Sequence, residues 1–221
     1  MLDTRQYRTD QPGGLTDDFA PVEAGRDNAA GTLTGGPQER WLKGNLLASR
    51  ARWNVIAQQV MLSQLHFPNP TGAPTPPVFG NMDQWDGYVP QRTRLLRFLE
   101  AARVRNPVVL AGDIHSTWFS DLKRDFDDPD SPTVATEFVA TSMSSDFPVE
   151  FDTALRQINP VFNPHVRYYE GSRHGYLRCE LTRDTWRTDE RTVDSIEVRE
   201  SPTRTTASFV VESGRPGLVP A

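Results

Sequence analysis

A four-residue apolar run constrains this chain more than any other feature. Val108-Val109-Leu110-Ala111 stands between Pro107 and Gly112 with no polar residue inside it. A strand apolar on both faces belongs in the middle of a sheet covered on both sides. The preceding segment, Pro90–Val104, carries Leu95, Leu96, Phe98 and Leu99 as an apolar stripe at helical spacing, and Asn106-Pro107 ends it. Helix followed by buried strand is half of a βαβ unit, so the pattern predicts α/β layering.

The flanking sequence extends that frame. Thr34 with Pro37 opens a second helix through Trp41, Leu42 and Leu46, weakened a little by Gly44. Residues 53–62 read as a strand. Leu2, Thr4 and Gln6 alternate with Asp3, Arg5 and Tyr7 as a short strand that begins abruptly. Segments 10–36 and 67–90, rich in Gly and Pro, read as long loops. Further on, Thr133–Ser142 alternates and Glu150–Gln157 is a short helix. His165–Glu170, Tyr176–Leu181 and Trp186–Val198 read as a three-stranded meander. The expected division is a main unit, 1–200, and a polar tail, 201–221, in which Phe209-Val210-Val211 is an edge strand. The whole is a layered sheet sandwich with helices on at least one outer face.

Composition narrows the functions. The 221 residues are 37% hydrophobic, enough for a buried core, and the net charge of −5 gives no footprint for nucleic acid or an anionic membrane. No apolar run approaches the roughly 20 residues that cross a bilayer. Cys179, the single cysteine, excludes an intrachain disulfide.

Gly112-Asp113-Ile114-His115 carries the strongest chemical signal. It follows the buried strand directly, and open α/β sheets place their sites at the carboxyl ends of strands. On an extended chain Asp113 and His115 share a face while Ile114 points back. Carboxylate and imidazole together suit a divalent or trivalent metal. The alternative is that Asp113 caps a helix starting at Ser116 and His115 is an ordinary hydrogen-bonded residue. One Asp-x-His pair does not complete a metal site, so further ligands must come from elsewhere.

Weaker candidates have plain alternatives. Asp125, Asp127, Asp128 and Asp130 resemble a calcium loop but lack its Gly and distal Glu, which favours a solvated acidic loop. Ser142, Ser144 and Ser145 have no G-x-S-x-G elbow around them. His66, His165 and His174 read as structural hydrogen-bonding residues. Arg5 and Arg8 suit a phosphate clamp, or simple charge balance with Asp3 and Asp10.

Several segments taken together resemble the alkaline phosphatase D (PhoD-like) family. They are LDTRQYR (2–8), RWNVIAQQVM (52–61), DGY (86–88) before an Arg-rich helix, VVLAGDIHSTWFSDLK (108–123), ATEFVATSMSS (135–145), NPHVRYYE (163–170) and GYLRCELT (175–182). They cover nearly the whole chain in consistent order. The resemblance implies a metallophosphatase-type four-layer α/β/β/α sandwich, of which this chain lacks the first half. It also implies hydrolysis of phosphate mono- or diesters with calcium and iron as cofactors. Asp113 and His115 become metal ligands by motif. Twin-arginine export, hence a periplasmic or extracellular location, is implied for a full-length member. No GDxxY or GNHE/DDHE motif is present among these residues. Two readings therefore stand: the C-terminal part of a phosphatase, or a catalytically inactive fragment prone to self-association. A non-catalytic β-sandwich binding module is the alternative outside the family.

Overall fold

The computed structural model describes residues 1–13, 18–68 and 78–221. Its centre is a five-stranded mixed sheet in the order β2-β5-β7-β6-β8, formed by β2 (Asn54–Ala57), β5 (Pro107–Ala111), β7 (Thr133–Val139), β6 (Thr117–Lys123) and β8 (Val166–Glu170). The apolar run is β5. It is parallel to β2 through Val55↔Val108 and to β7 through Val109↔Glu137, and it lies inside the sheet as its patterning demands.

Alternation along β5 feeds two cores. Val109 faces helices α2 (Gly35–Ala48) and α3 (Val89–Ala101), packing with Leu42, Leu95, Leu96 and Leu99. Val108 faces the other way, toward a four-stranded antiparallel sheet in the order β12-β11-β10-β9. That sheet comprises β9 (Gly175–Leu181), β10 (Thr185–Val193), β11 (Thr203–Glu212) and β12 (Arg215–Pro220). Aromatic rings fill the gap between the sheets. Phe119 meets Phe209 edge-on at 5.5 Å between centroids, and Phe138 stacks on Trp186 at 6.5 Å. The layering is thus helices, mixed sheet, antiparallel sheet. A small third sheet joins β1 (Phe19–Pro21), β4 (Phe79–Asn81) and β3 (His66–Phe67). It sits near α4 (Val149–Phe162), whose Leu155 packs on Trp118 and Val139. The short α1 (Val22–Arg26) follows β1.

Several expectations change. Residues 2–7 form no strand and bend at 4–7, because the Asp3 carboxylate accepts from the N–H groups of both Arg5 and Gln6 and curls the chain locally. The strand expected to reach Leu62 stops at Ala57, and although Gln58 N–H still reaches Leu110 O, side chains take over the backbone donors from Met61 on. Met61 N–H donates to Gln84, Leu62 and Ser63 to Glu137, and Leu65 to Asp86, at 2.6–2.9 Å. The meander is split: β8 pairs with β6 in the mixed sheet, whereas β9 and β10 belong to the other sheet. The segment beyond residue 200 is a hairpin, and β11 is interior, between β10 and β12, with Phe209 and Val211 buried. The loop expected over 10–36 contains β1 and α1, while parts of it and of the 67–90 excursion (14–17 and 69–77) lie outside the described residues. The strand β6 replaces any helix at Ser116. Among the described residues no helix is long and apolar enough to cross a membrane.

Candidate active site

Parallel strands β2, β5 and β7 deliver residues 58–59, 112–115 and 140–146 to one rim of the mixed sheet. The ladder runs slightly past the strands: Gly112 N–H donates to Gln59 O, and Ala140 N–H to Ala111 O. Beyond Ala111 the chain is not extended. Asp113 and His115 have φ of 71° and 59°, in the left-handed region that non-glycine residues rarely enter. The shared exposure of the two side chains therefore comes from two left-handed residues rather than from strand alternation. Ile114 between them turns inward and packs with Met61, Leu65, Trp118 and Val139. Strain of this kind persists where surrounding contacts over-determine it, and it concentrates at functional sites.

Asp113 is held by two donors. Its Oδ2 accepts from the Arg5 guanidinium at 2.7 Å and from Gln84 Nε2 at 3.2 Å. Arg5 is itself forked, its Nη1 lying 2.8 and 2.9 Å from the two oxygens of Asp83. Arg8 binds the same Asp83. The two arginines expected as a phosphate clamp are thus neutralised by Asp83 and Asp113, rather than by Asp3 and Asp10. Burial works against ionisation of Asp83, but the two guanidiniums outweigh it and hold its carboxyl below the usual range. The Arg5 segment is pinned to the rim by Gln59, which accepts from Thr4 N–H and Oγ1 and donates to Leu2 O.

His115 is exposed, and its Nδ1 lies 3.3 Å from the carbonyl oxygen of Asp146. An Nδ1–H donated to that carbonyl leaves the Nε2 lone pair outward, the arrangement that orients a metal-binding imidazole. Asp113 Oδ1 has no partner among the described residues. Carboxylate and imidazole each retain one donor atom, of the two kinds that a metal ion accepts as ligands. Among the described residues no group of three or more His, Cys, Asp or Glu side chains is placed to hold a metal.

The remaining candidates resolve as follows. Ser142, His174 and Asp146 stand in series at 3.3 and 3.4 Å. The Ser142 hydroxyl donates to Ser145 O, and the Asp146 side chain is 88% exposed, so this chain shapes the 140–146 loop instead of activating a nucleophile. His165 is buried with Nε2 on Gln64 O, and its desolvation pushes the ring down to about 4. His66 N–H binds Asn163. In the acidic loop Asp127 pairs with Arg26, while Asp125 and Asp128 accept from backbone N–H groups two residues on. Asp86 and Gly87 are structural: Asp86 forms a buried pair with Arg92, and a Cβ at Gly87 would lie 2.2 Å from Met82 O. Asp83, Gln84 and Asp146, the partners of the rim, carry no periodic or motif signal in the sequence.

Layered sheets with a polar rim at the carboxyl ends of the parallel strands define a mixed α/β protein, and comparison with known proteins gives its class. The family model for PhoD-like phosphatase matches residues 1–190. The chain belongs to the PhoD-like phosphatase family. It is 37% identical over 223 residues to alkaline phosphatase D of Bacillus subtilis (strain 168), a match covering 99% of this chain and 36% of that protein. The solved structure of PhoD superposes with a TM-score of 0.84 at 35% identity, covering 100% of this chain and 41% of that one. The chain therefore spans well under half the length of either relative.

Proposed function

We propose that this chain carries part of the catalytic rim of a metal-dependent phosphate-ester hydrolase, acting on mono- or diesters with calcium and iron. The observation that carries this reading is the pairing of Asp113 and His115 on left-handed backbone at the carboxyl end of the central parallel strand, in a chain of a phosphatase family. Asp113 Oδ1 and His115 Nε2 would hold the ion. A metal held there would supply Lewis-acid chemistry, polarising a phosphoryl oxygen and activating water. The chain's own residues fix the geometry. Arg5 and Gln84 set the carboxylate plane, Asp83 fixes Arg5, and the Asp146 carbonyl selects the imidazole tautomer.

The count of donors favours a second reading, in which the 221 residues alone form half a site inside a four-layer sandwich completed by further chain. Hydrolysis of p-nitrophenyl phosphate with calcium and ferric iron supplied separates the two. The first reading expects hydrolysis that a chelator abolishes and metal restores. Hydrolysis indifferent to the chelator contradicts metal dependence, and folded but inactive protein supports the half-site.

A further inference from the structure

Beside the rim lies a cavity of about 210 Å³ whose chemistry is opposite to that of the Asp113 carboxylate. Its walls are Phe19, Phe67, Phe147 and Phe151, brought together from β1, β3, the loop before α4, and α4 itself. The rings form one continuous array. Phe19 meets Phe67 edge-on at 5.3 Å, stacks on Phe151 at 5.8 Å with 16° between planes, and Phe147 tilts against Phe151 at 6.5 Å. Leu65 and Leu155, both buried, close it toward the core. Asn81 and His115 are its polar members among the described residues. A ligand group in this cavity thus touches His115 and sits two residues from Asp113.

We infer that this cavity is the subsite for the alcohol moiety of the phosphate ester, and that it selects an aromatic ring. The inference rests on the hydrolase reading above and names its substrate class. Size and lining both argue for a ring. An apolar cavity of about 150 Å³ holds benzene and stays dry, so this one accommodates a single ring system. Faces and edges of four phenyl groups offer stacked and edge-on contacts that a flexible polyol does not use. The phosphoryl group does not follow it inside, because among the described residues no cation lines the cavity to offset its desolvation. It is left at the rim beside His115 and Asp113.

The test measures binding of 2-naphthol and of inorganic phosphate by calorimetry, and hydrolysis of 2-naphthyl phosphate and glycerol 1-phosphate, on the 221-residue chain supplied with metal. Phe151→Ala and Phe67→Ala are compared with the unsubstituted protein. Both side chains are partly exposed, and thermal melts verify that the variants fold. The expected result is that either substitution weakens naphthol binding at least tenfold and leaves phosphate binding unchanged. KM rises for the naphthyl ester and not for the glycerol ester. Naphthol that fails to bind, or binds equally to both folded variants, overturns the subsite. Phe-dependent naphthol binding without hydrolysis of either ester upholds the aromatic subsite and overturns hydrolysis by these 221 residues alone, in favour of the half-site reading.

Discussion

Arg5 shows how much one side chain organises at the rim. Its guanidinium spans Asp83 and Asp113, two carboxylates that no local pattern connects to each other or to residue 5. The Arg5–Asp113 pair is about one-third exposed on each side, so its contribution to stability is at most about 1 kcal/mol. Its contribution to orientation is larger, because a planar fork fixes a carboxylate in a way that a single ammonium does not. Arg5→Lys is expected to leave the melting temperature nearly unchanged while lowering kcat/KM about 10–100-fold, the usual cost of losing a group that orients a ligand. Unchanged kcat/KM in that variant would show that Arg5 plays no positioning part. At this scale Gly112-Asp113-Ile114-His115 was legible, because a carboxylate and an imidazole directly after a buried strand form a local signal. Asp83 was not, since only the folded chain brings it to Arg5.

Among the elements, the segment after β2 has the most unusual support. Residues 58–65 are mostly buried yet irregular, and Glu137 from β7, two strands away in the sheet, replaces ladder partners by accepting from Leu62 and Ser63. Complete burial pushes the Glu137 carboxyl up to about 7 despite those bonds. The folded state therefore holds a proton that the unfolded chain releases near its ordinary value of 4.5, and this contribution to stability is lost as pH rises toward 7. His165 acts in the opposite sense. Buried and held near 4, it stays neutral where the unfolded chain protonates near 6.5, so its contribution is lost as pH falls. His66, also lowered by burial, adds to His165. Across pH 4.5–6.5 these effects oppose one another. Glu137→Gln is expected to steepen the rise of stability with pH by up to about 1.4 kcal/mol per unit, and His165→Gln to shift the slope the other way. Denaturant midpoints measured across that window decide it, and identical slopes in all three proteins would contradict the account.

Glycines supply a second test at the same scale. A Cβ at Gly25 of α1 would lie 1.8 Å from Asp86 O, whereas one at Gly44 of α2 meets nothing within 4 Å. Gly44→Ala should stabilise by roughly 0.5–1 kcal/mol, and Gly25→Ala should cost about 1–3 kcal/mol. Equal midpoints in urea would show that α1 does not pack closely on the Trp85–Tyr88 turn. Long periodic helices and the twice-buried strand were readable from sequence. The end of β2 was not, because side chains distant in sequence satisfy the backbone donors from Met61 on.

For the whole molecule, the arrangement of sheets was the least legible level. Strands β8 to β10 follow one another with ordinary turn chemistry, yet the chain changes sheet between β8 and β9. The cause is long-range aromatic packing of Phe119 and Phe138 against Trp186 and Phe209. The same architecture leaves β2 at one edge of the mixed sheet, covered at its end by Leu2 N–H on Ala57 O, and the remainder of such an edge invites pairing with another chain. Sedimentation velocity is expected to show self-association that grows with concentration, and a compact monomer at every concentration would contradict this.

The central claim is that Asp113 and His115 form the reactive rim. It is tested most directly by measuring kcat/KM for p-nitrophenyl phosphate and bis(p-nitrophenyl) phosphate, with calcium and ferric iron present, in the unsubstituted chain, Asp113→Ala, His115→Ala and Asp128→Asn. The account predicts a fall of at least about 100-fold in the first two variants, as expected when a metal ligand is removed, and no change in the acidic-loop variant. Hydrolysis that survives both rim substitutions in folded protein would contradict it.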